Sequence, residues 1–435
     1  MNTRIGLLTV VLVLGAGDSA RAQSTTPVQL TLKDAEVLAL KNHPQVLAAQ
    51  ATLLEFNQLV VETRSAYFPM LDGEFTGSGG NPRGRIGAGF LAASSLFDRL
   101  GTGIALSQLI TDSGRTPNLV ASSRLQAQAS QKTYEATRYD VLLAVDQAYF
   151  NALRAQALVK VAEETVAARQ ILADQVNELA KNKLRSQVDV AFADVNLSEA
   201  KLLLLRSQDQ VRAAFAELTR ALGAQQEMNY KLADEPLPPS PPSDADSLIA
   251  QAFANRPDLL SLQFQREAAV KFERAERDLS FPTVSLVGVA GAIPEINQIL
   301  SAKIPNNYEG AALNVEVPIF NGHLFAARRE AARYHAQAED QKVRDLQQRI
   351  ARDVRVAWSS SRTAYQNLDV TAELLREATL ALDLAQGRYN LGLSSIVELS
   401  QAQLNITQAE IENLSAKYDY QSIYAMLQYT MGLLR

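Results

Sequence analysis

Two stretches of this chain repeat one another at a fixed distance, and that repeat limits the possible folds more than any other feature. Asn42-His43-Pro44, followed by Leu47 and Gln50, returns as Asn255-Arg256-Pro257 followed by Leu260 and Gln263. Tyr67-Phe68-Pro69 returns as Ser280-Phe281-Pro282, and both matches lie 213 positions apart. Beyond a stretch of variable length, near residues 70–108, the offset becomes 209 and holds. Asp112-Ser113 then matches Asn321-Gly322, and Val145 with Ala148-Tyr149 matches Val354 with Ala357-Trp358. Leu184, Ser186 and Val188 match Leu393, Ser395 and Val397, and Gly223 matches Gly432. An offset held this long marks a tandem duplication: one structural unit written twice.

Each copy carries the same order of elements. A helix is expected from Leu32 to Tyr67 and again from Ser247 to Ser280, with Asp34 and Asp246 suited to capping and dipole positions. Phe68-Pro69 and Phe281-Pro282 stop these helices, because the residue before proline is pushed out of helical geometry. Gly-rich segments with strand-like alternation follow. Leu71, Gly73, Phe75 and Gly77 alternate with Asp72, Glu74, Thr76 and Ser78, and Leu313, Val315 and Val317 alternate with Ala312, Asn314 and Glu316. Segments 101–110 and 283–291 alternate less cleanly. Asn81-Pro82-Arg83-Gly84 and Pro294 to Asn307 read as loops between paired strands. A very long helix comes next in each copy, about 113–181 and 322–390, with no proline after its first turn. In the second, Val343, Leu346, Ile350, Val354 and Ala357 keep the three-and-four spacing of a coiled-coil seam. At 1.5 Å per residue such a helix is a rod of roughly 100 Å. Return helices are expected at 188–222 and 396–430. Between the copies, Pro236-Leu237-Pro238-Pro239-Ser240-Pro241-Pro242 makes a stiff extended linker. The organisation is a first repeat over 23–223, a Pro-rich linker over 224–246, and a second repeat over 247–435.

The N-terminus places the chain outside the cytoplasm. Arg4, the apolar run Ile5 to Leu14 and the small-x-small Ala20-Arg21-Ala22 read as an export signal over residues 1–22. Its apolar run is too short for a spanning helix, and removing the signal makes the formal charge of −5 about one unit more negative. Charges of both signs alternate along the chain, which argues for solvated helix faces and against a nucleic-acid surface. With no cysteine, disulfides, thiolate metal sites and an acylated N-terminal cysteine are excluded. No phosphate loop, nucleophile triad or metal cluster stands out, so no enzyme and no cofactor is expected. His335 and Glu339, one helical turn apart, are a poor metal pair without a third ligand.

Four strands leave two sheet edges, which hydrocarbon does not tolerate, and cannot close around a useful lumen. Several chains must therefore complete one barrel if these strands lie in a membrane; three chains give twelve strands, within the range of known barrels. Polar strand positions, Asp72, Glu74, Asn314 and Glu316, would then face the lumen. The repeated plan, the Phe-Pro stops, the Asp112/Asn321 helix starts and Tyr389-Asn390-Leu391-Gly392-Leu393 together resemble the TolC family of outer-membrane efflux proteins over essentially the whole exported chain. The resemblance implies a mainly α fold with a small transmembrane β part: a homotrimer with a twelve-stranded β-barrel continued by a long α-helical coiled-coil barrel through the periplasm. It implies a passive duct of a tripartite efflux or type I secretion system, partnered by a periplasmic adaptor, an inner-membrane pump and outer-membrane lipid.

Carried over position by position, the resemblance assigns adaptor docking to the hairpin tips: Leu184 and Ser186 in one copy, Leu391, Gly392, Leu393 and Ser395 in the other. The family's entrance is held by a tyrosine, an arginine and aspartates near these tips. Tyr389 matches the tyrosine, Asp189 an aspartate and Glu398 a second acid, while Gln401 replaces another acid and Ser394 the arginine. The lock is then expected to run through Arg185 or Arg388, and substituting Asp189 and Glu398 by alanine to raise conductance. The alternative from a different class is a soluble periplasmic coiled-coil adaptor or structural rod. It explains the export signal and the helices but not the strands inserted at the same place in both copies.

Overall fold

The structure, a computed structural model, describes residues 28–78, 99–224, 230–296 and 307–434. The export-signal residues and Asn81 to Gly84 lie outside them. Six strands and eight helices appear among the described residues: β1 (Val28–Leu30), α1 (Leu32–Asn42), α2 (Pro44–Ser65), β2 (Met70–Ser78), β3 (Arg99–Thr111), α3 (Arg115–Lys181), α4 (Gln187–Ala221), β4 (Tyr230–Leu232), α5 (Ala245–Asn255), α6 (Pro257–Asp278), β5 (Thr283–Ile296), β6 (Asn307–Glu316), α7 (Leu324–Asn390) and α8 (Ile396–Thr430). The two copies are superimposable in order, and α3 and α7 are each 67 residues long.

Several expectations are corrected. The first helix of each copy is two helices, broken at His43 (ψ 124°) and Arg256 (ψ 118°). Pro44 and Pro257 drive both residues out of the helical region, and each proline then opens the next helix at its first position. The caps are Thr31 and Asp244, whose side chains accept backbone N–H groups of Asp34 and of Asp246 and Ser247. Asp34 and Asp246 themselves occupy the first turn, where a negative charge meets the helix dipole. Pro294 to Ile296 and Asn307 belong to strands and not to a loop, Val317 lies beyond β6, and the rest of that loop is outside the described residues. The linker contains β4, and its last residues, Ala245 and Asp246, are already helical.

β1 and β4 pair in parallel, joining the start of the chain to the linker. The Tyr149 hydroxyl bonds the carbonyl oxygens of Leu30 (2.9 Å) and Ala233 (2.7 Å), pinning both strands to α3. The matching residue of the second copy does the same for its own lead segment: Trp358 Nε1 donates to the Pro242 carbonyl at 2.7 Å. Gln421 donates to the carbonyl of Glu235 at 2.8 Å, and the Tyr420 hydroxyl to that of Pro239, so the Pro-rich linker is strapped along α8. A Cβ on Gly223 would come 2.7 Å from Cα of His43, and one on Gly432 would come 2.9 Å from the Asn255 carbonyl carbon. The end of each return helix therefore closes on the helix break of its own copy, which accounts for the repeated glycine.

The remaining strands form one antiparallel sheet in the order β2-β3-β5-β6. Its register puts Asp72, Ala105, Val289 and Gly310 side by side, and likewise Glu74, Gly103, Gly291 and Tyr308. Residues directly opposite share a face. Met70, Asp72, Glu74, Thr76, Ser107, Ser285, Asn314 and Glu316 thus fall on one face, its acidic residues on the edge strands β2 and β6 and Leu109, Val287 and Val289 between them. Leu71, Phe75, Ile104, Leu106, Leu286, Leu313 and Val315 fall on the other, with Gln108 and Glu309 toward its two ends, and there a lipid-facing band would be.

Candidate functional site: the open sheet and the hairpin tip

The expected site residues fall in two places, at opposite ends of the helices. At the sheet end, Asp72 and Glu74 on β2 and Asn314 and Glu316 on β6 share the polar face, all exposed. β2 and β6 are also the two edges, so these residues flank an unpaired strand on each side.

At the other end, α3 turns into α4 and α7 into α8. Both turns are Schellman motifs. Lys183 N donates to Ala180 O and Leu184 N to Leu179 O, each at 2.9 Å; Gly392 N donates to Tyr389 O (3.0 Å) and Leu393 N to Arg388 O (2.8 Å). The motif needs a left-handed residue after the helix, which favours glycine. Gly392 supplies it at φ +72°, and in the other hairpin Lys183 is held at φ +62°. The missing glycine therefore does not change the turn; a lysine carries its strain. Ser186 and Ser395 cap the return helices, and Ser186 forms a capping box with Asp189 in both directions at 3.1 Å. Leu184, Leu391 and Leu393 point into solvent, with side chains exposed at the extreme end.

The two hairpins share one core of Leu172, Val176, Leu197, Tyr389, Ile396 and Leu399. Tyr389 is 1 % exposed, and the Arg185 guanidinium lies 4.2 Å from its ring centroid while donating to its carbonyl at 3.0 Å. Burial pushes the Tyr389 phenol above its ordinary pKa, opposed by Arg185 and reinforced by Asp189. Among the described residues the Tyr389 hydroxyl has no hydrogen-bond partner. Arg388 instead bonds within its own hairpin, to Glu398 at 3.2 Å and to the Leu393 carbonyl at 3.3 Å. Of the two arginines considered, Arg185 is the one that ties hairpin to hairpin. Sequence reasoning missed the polar layer behind it: Asn196 donates to the Ser400 hydroxyl at 2.7 Å across buried α4–α8 contact, and Arg169 is buried nearby on α3. Burial lowers the Arg169 pKa, with Glu199 opposing. Isolated polar residues in a heptad seam are the available signal for such a layer.

His335 Nδ1 is 4.0 Å from Glu339 Oε1, which accepts from Lys342 at 2.7 Å. Among the described residues no group of three potential ligands forms a metal site, and no helix is long and apolar enough to cross a membrane.

An antiparallel sheet with one mainly apolar face and two open edges, set on helical rods roughly 100 Å long, fits a membrane channel protein that extends far beyond its bilayer. The chain belongs to the outer membrane efflux protein family, whose model matches residues 37–224 and 248–433. Among curated proteins it is 23 % identical over 407 residues to the outer membrane efflux protein BepC of Brucella suis, covering 92 % of this chain and 85 % of that one. It is also 23 % identical over 382 residues to the cation efflux system protein CusC of Escherichia coli K12, covering 85 % and 79 %. A crystal structure of CusC superposes with a TM-score of 0.81 at 20 % identity, covering 97 % of this chain and 95 % of that one. The protein is thus an efflux channel of the outer membrane with a periplasmic extension, and the soluble-adaptor alternative loses its ground.

Proposed function

We propose that three copies of this chain assemble head to tail into a duct that conducts substrates from a periplasmic adaptor and inner-membrane pump to the exterior. One observation carries the reading: the chain is unfinished along two flanks, at every level. In the sheet the free edges are β2 and β6. Below it, α2 packs on α3, α3 on α6 and α6 on α7, which leaves α2 and α7 outermost. Lower still the main order is α4, α3, α8, α7, leaving α4 and α7 outermost. The outer helices carry exposed apolar residues at heptad spacing, Leu47, Leu54 and Val61 on α2 and Val188, Val195 and Leu202 on α4, and at double that spacing Val356, Val370 and Leu384 beside α7's buried seam. An uncovered heptad stripe is one half of a coiled coil. A β2-α2-α4 flank meeting a β6-α7 flank is a heterologous contact, which closes into a ring when the rotation fits. In such a ring Asp72, Glu74, Asn314 and Glu316 line the lumen. The exposed tip, Leu184, Ser186, Leu391, Gly392, Leu393 and Ser395, is the adaptor-docking surface, and Arg185 with Tyr389 holds the entrance.

Electron microscopy of detergent-extracted protein tests the assembly. A threefold tapered tube, roughly 100 Å or longer, is the expected result. Monomeric rods at concentrations where the channel family is studied as a complex would overturn it.

A further inference from the structure

Glu74, Gly103, Gly291 and Tyr308 stand in one row across the four strands. Tyr308 does not project from its strand. Its ring lies along the row over β5, with the hydroxyl reaching β3. A Cβ placed on Gly291 would meet the hydroxyl at 2.5 Å and Cζ at 2.6 Å, and one on Gly103 would come closer still. Any side chain at either position would evict the ring, so the two glycines form a slot that seats it, as aromatic side chains do when they cover strand glycines. With one ring face against the glycines, the 41 % of Tyr308 that remains exposed is its outward side. That side belongs to the polar face. Glu74 is the next residue in the same row, past the hydroxyl, and Asp72 lies one row away on the same face. The ring thus has Val289 in the adjoining row of β5 and two carboxylates on β2 beyond its hydroxyl end. An aromatic and apolar floor with anionic oxygens at one end is chemistry that attracts quaternary and protonated amines.

We propose that the Tyr308 slot, with Glu74 and Asp72, is a contact site for organic cations in transit, present once in each copy around the barrel. The site rests on the reading of the polar face as lumen, and the experiment separates the two. The probe is tetrabutylammonium, whose charge does not depend on pH, applied to full-length trimers in planar bilayers. Reversible block of the current is expected. Tyr308→Leu and Glu74→Gln should each raise the half-blocking concentration roughly threefold to thirtyfold, whereas Tyr308→Phe, which keeps the ring, should stay within about twofold of the parent. Equal block of parent and Tyr308→Leu overturns the site, and so does a loss in Tyr308→Phe as large as that in Tyr308→Leu. The lumen itself is tested by Asp72→Cys, the sole thiol in a chain without cysteine. A charged, membrane-impermeant thiol reagent should step the current down. If it leaves the current unchanged, the lumen reading fails and the site with it; a stepped current with unaltered block in Tyr308→Leu removes the site alone.

Discussion

Single residues carry both the strain and the pH sensitivity of this chain. Lys183 holds a left-handed conformation that its duplicate position gives to glycine. A lysine there pays a backbone penalty that glycine avoids, so Lys183→Gly is expected to stabilise the hairpin by about 0.5–1 kcal/mol, read as a higher melting temperature. Lys183→Ala, which keeps the Cβ, should give little of that gain. A second residue, Asp146 on α3, is 3 % exposed and faces Glu36 on α1, with Glu235 and Lys33 beside Glu36. Burial first, then the Glu36 carboxyl, pushes Asp146 up to about 8 from 3.8. The sign follows from proton counting. Below about pH 4 both folded and unfolded chains hold the proton; between there and about pH 8 the unfolded chain has lost it, so this group costs stability that grows with pH and levels off above 8. Asp146→Asn should therefore melt higher than the parent at pH 7–8 and show a smaller or no advantage near pH 4, by thermal melts across that range. A constant advantage at all pH values would contradict the assignment.

At the scale of elements, legibility followed the periodicity. The 67-residue helices were readable because their apolar positions keep a three-and-four rhythm over many turns, and β2 and one end of β6 because polar and apolar residues alternate there. β3 and β5 are faint for a physical reason: on the face of Asp72 and Glu74, β3 carries Gly101, Gly103 and Ala105 and β5 carries Val287, Val289 and Gly291, so neither strand alternates polar with apolar. Gly103 and Gly291 are the two that leave room for Tyr308. β1 and β4 were invisible, since three-residue strands paired in parallel across some two hundred positions leave no local signal. The helix breaks at His43 and Arg256 follow from Pro44 and Pro257, since the residue before proline leaves helical geometry. Of the site, the tip residues were found by matching the copies, but which arginine bridges the hairpins depends on packing that spacing does not encode. The pairing of Tyr149 with Trp358 in the repeat does encode something: both hold the segment leading into a copy. Tyr149→Phe removes the hydroxyl whose single proton lies between the Leu30 and Ala233 carbonyls, leaves the Leu30 carbonyl its bond from Ala233 N–H, and should cost about 1–2 kcal/mol. Hydrogen exchange would show it as faster exchange at β1 and β4 with α3 unchanged.

For the whole molecule, an entrance of the kind proposed above would open by breaking contacts between hairpins. Contacts inside a hairpin travel with it, so they do not resist its movement; contacts between hairpins do. Arg388–Glu398 is of the first kind, and Asp189 is engaged in the cap of its own helix. Arg185 on Tyr389 is of the second kind, with Asn196–Ser400 behind it. If the α7–α8 hairpin swings away from α3–α4 to widen the entrance, Arg185 is the residue that opposes it. A cation over a buried ring plus a charge-assisted hydrogen bond contributes on the order of 1–3 kcal/mol per copy, and in the proposed trimer three copies around one entrance would multiply a bias toward a closed form. Arg185→Ala is then expected to raise single-channel conductance or open probability clearly, and Glu398→Ala to raise it less. Asp189→Ala should act mainly by loosening its helix cap, at a cost of about 1 kcal/mol. Recordings from the three variants in planar bilayers rank them directly. Should Glu398→Ala open the channel more than Arg185→Ala, the bond within the α7–α8 hairpin would be the lock, and the entrance would open by bending that hairpin and not by parting it from its neighbour.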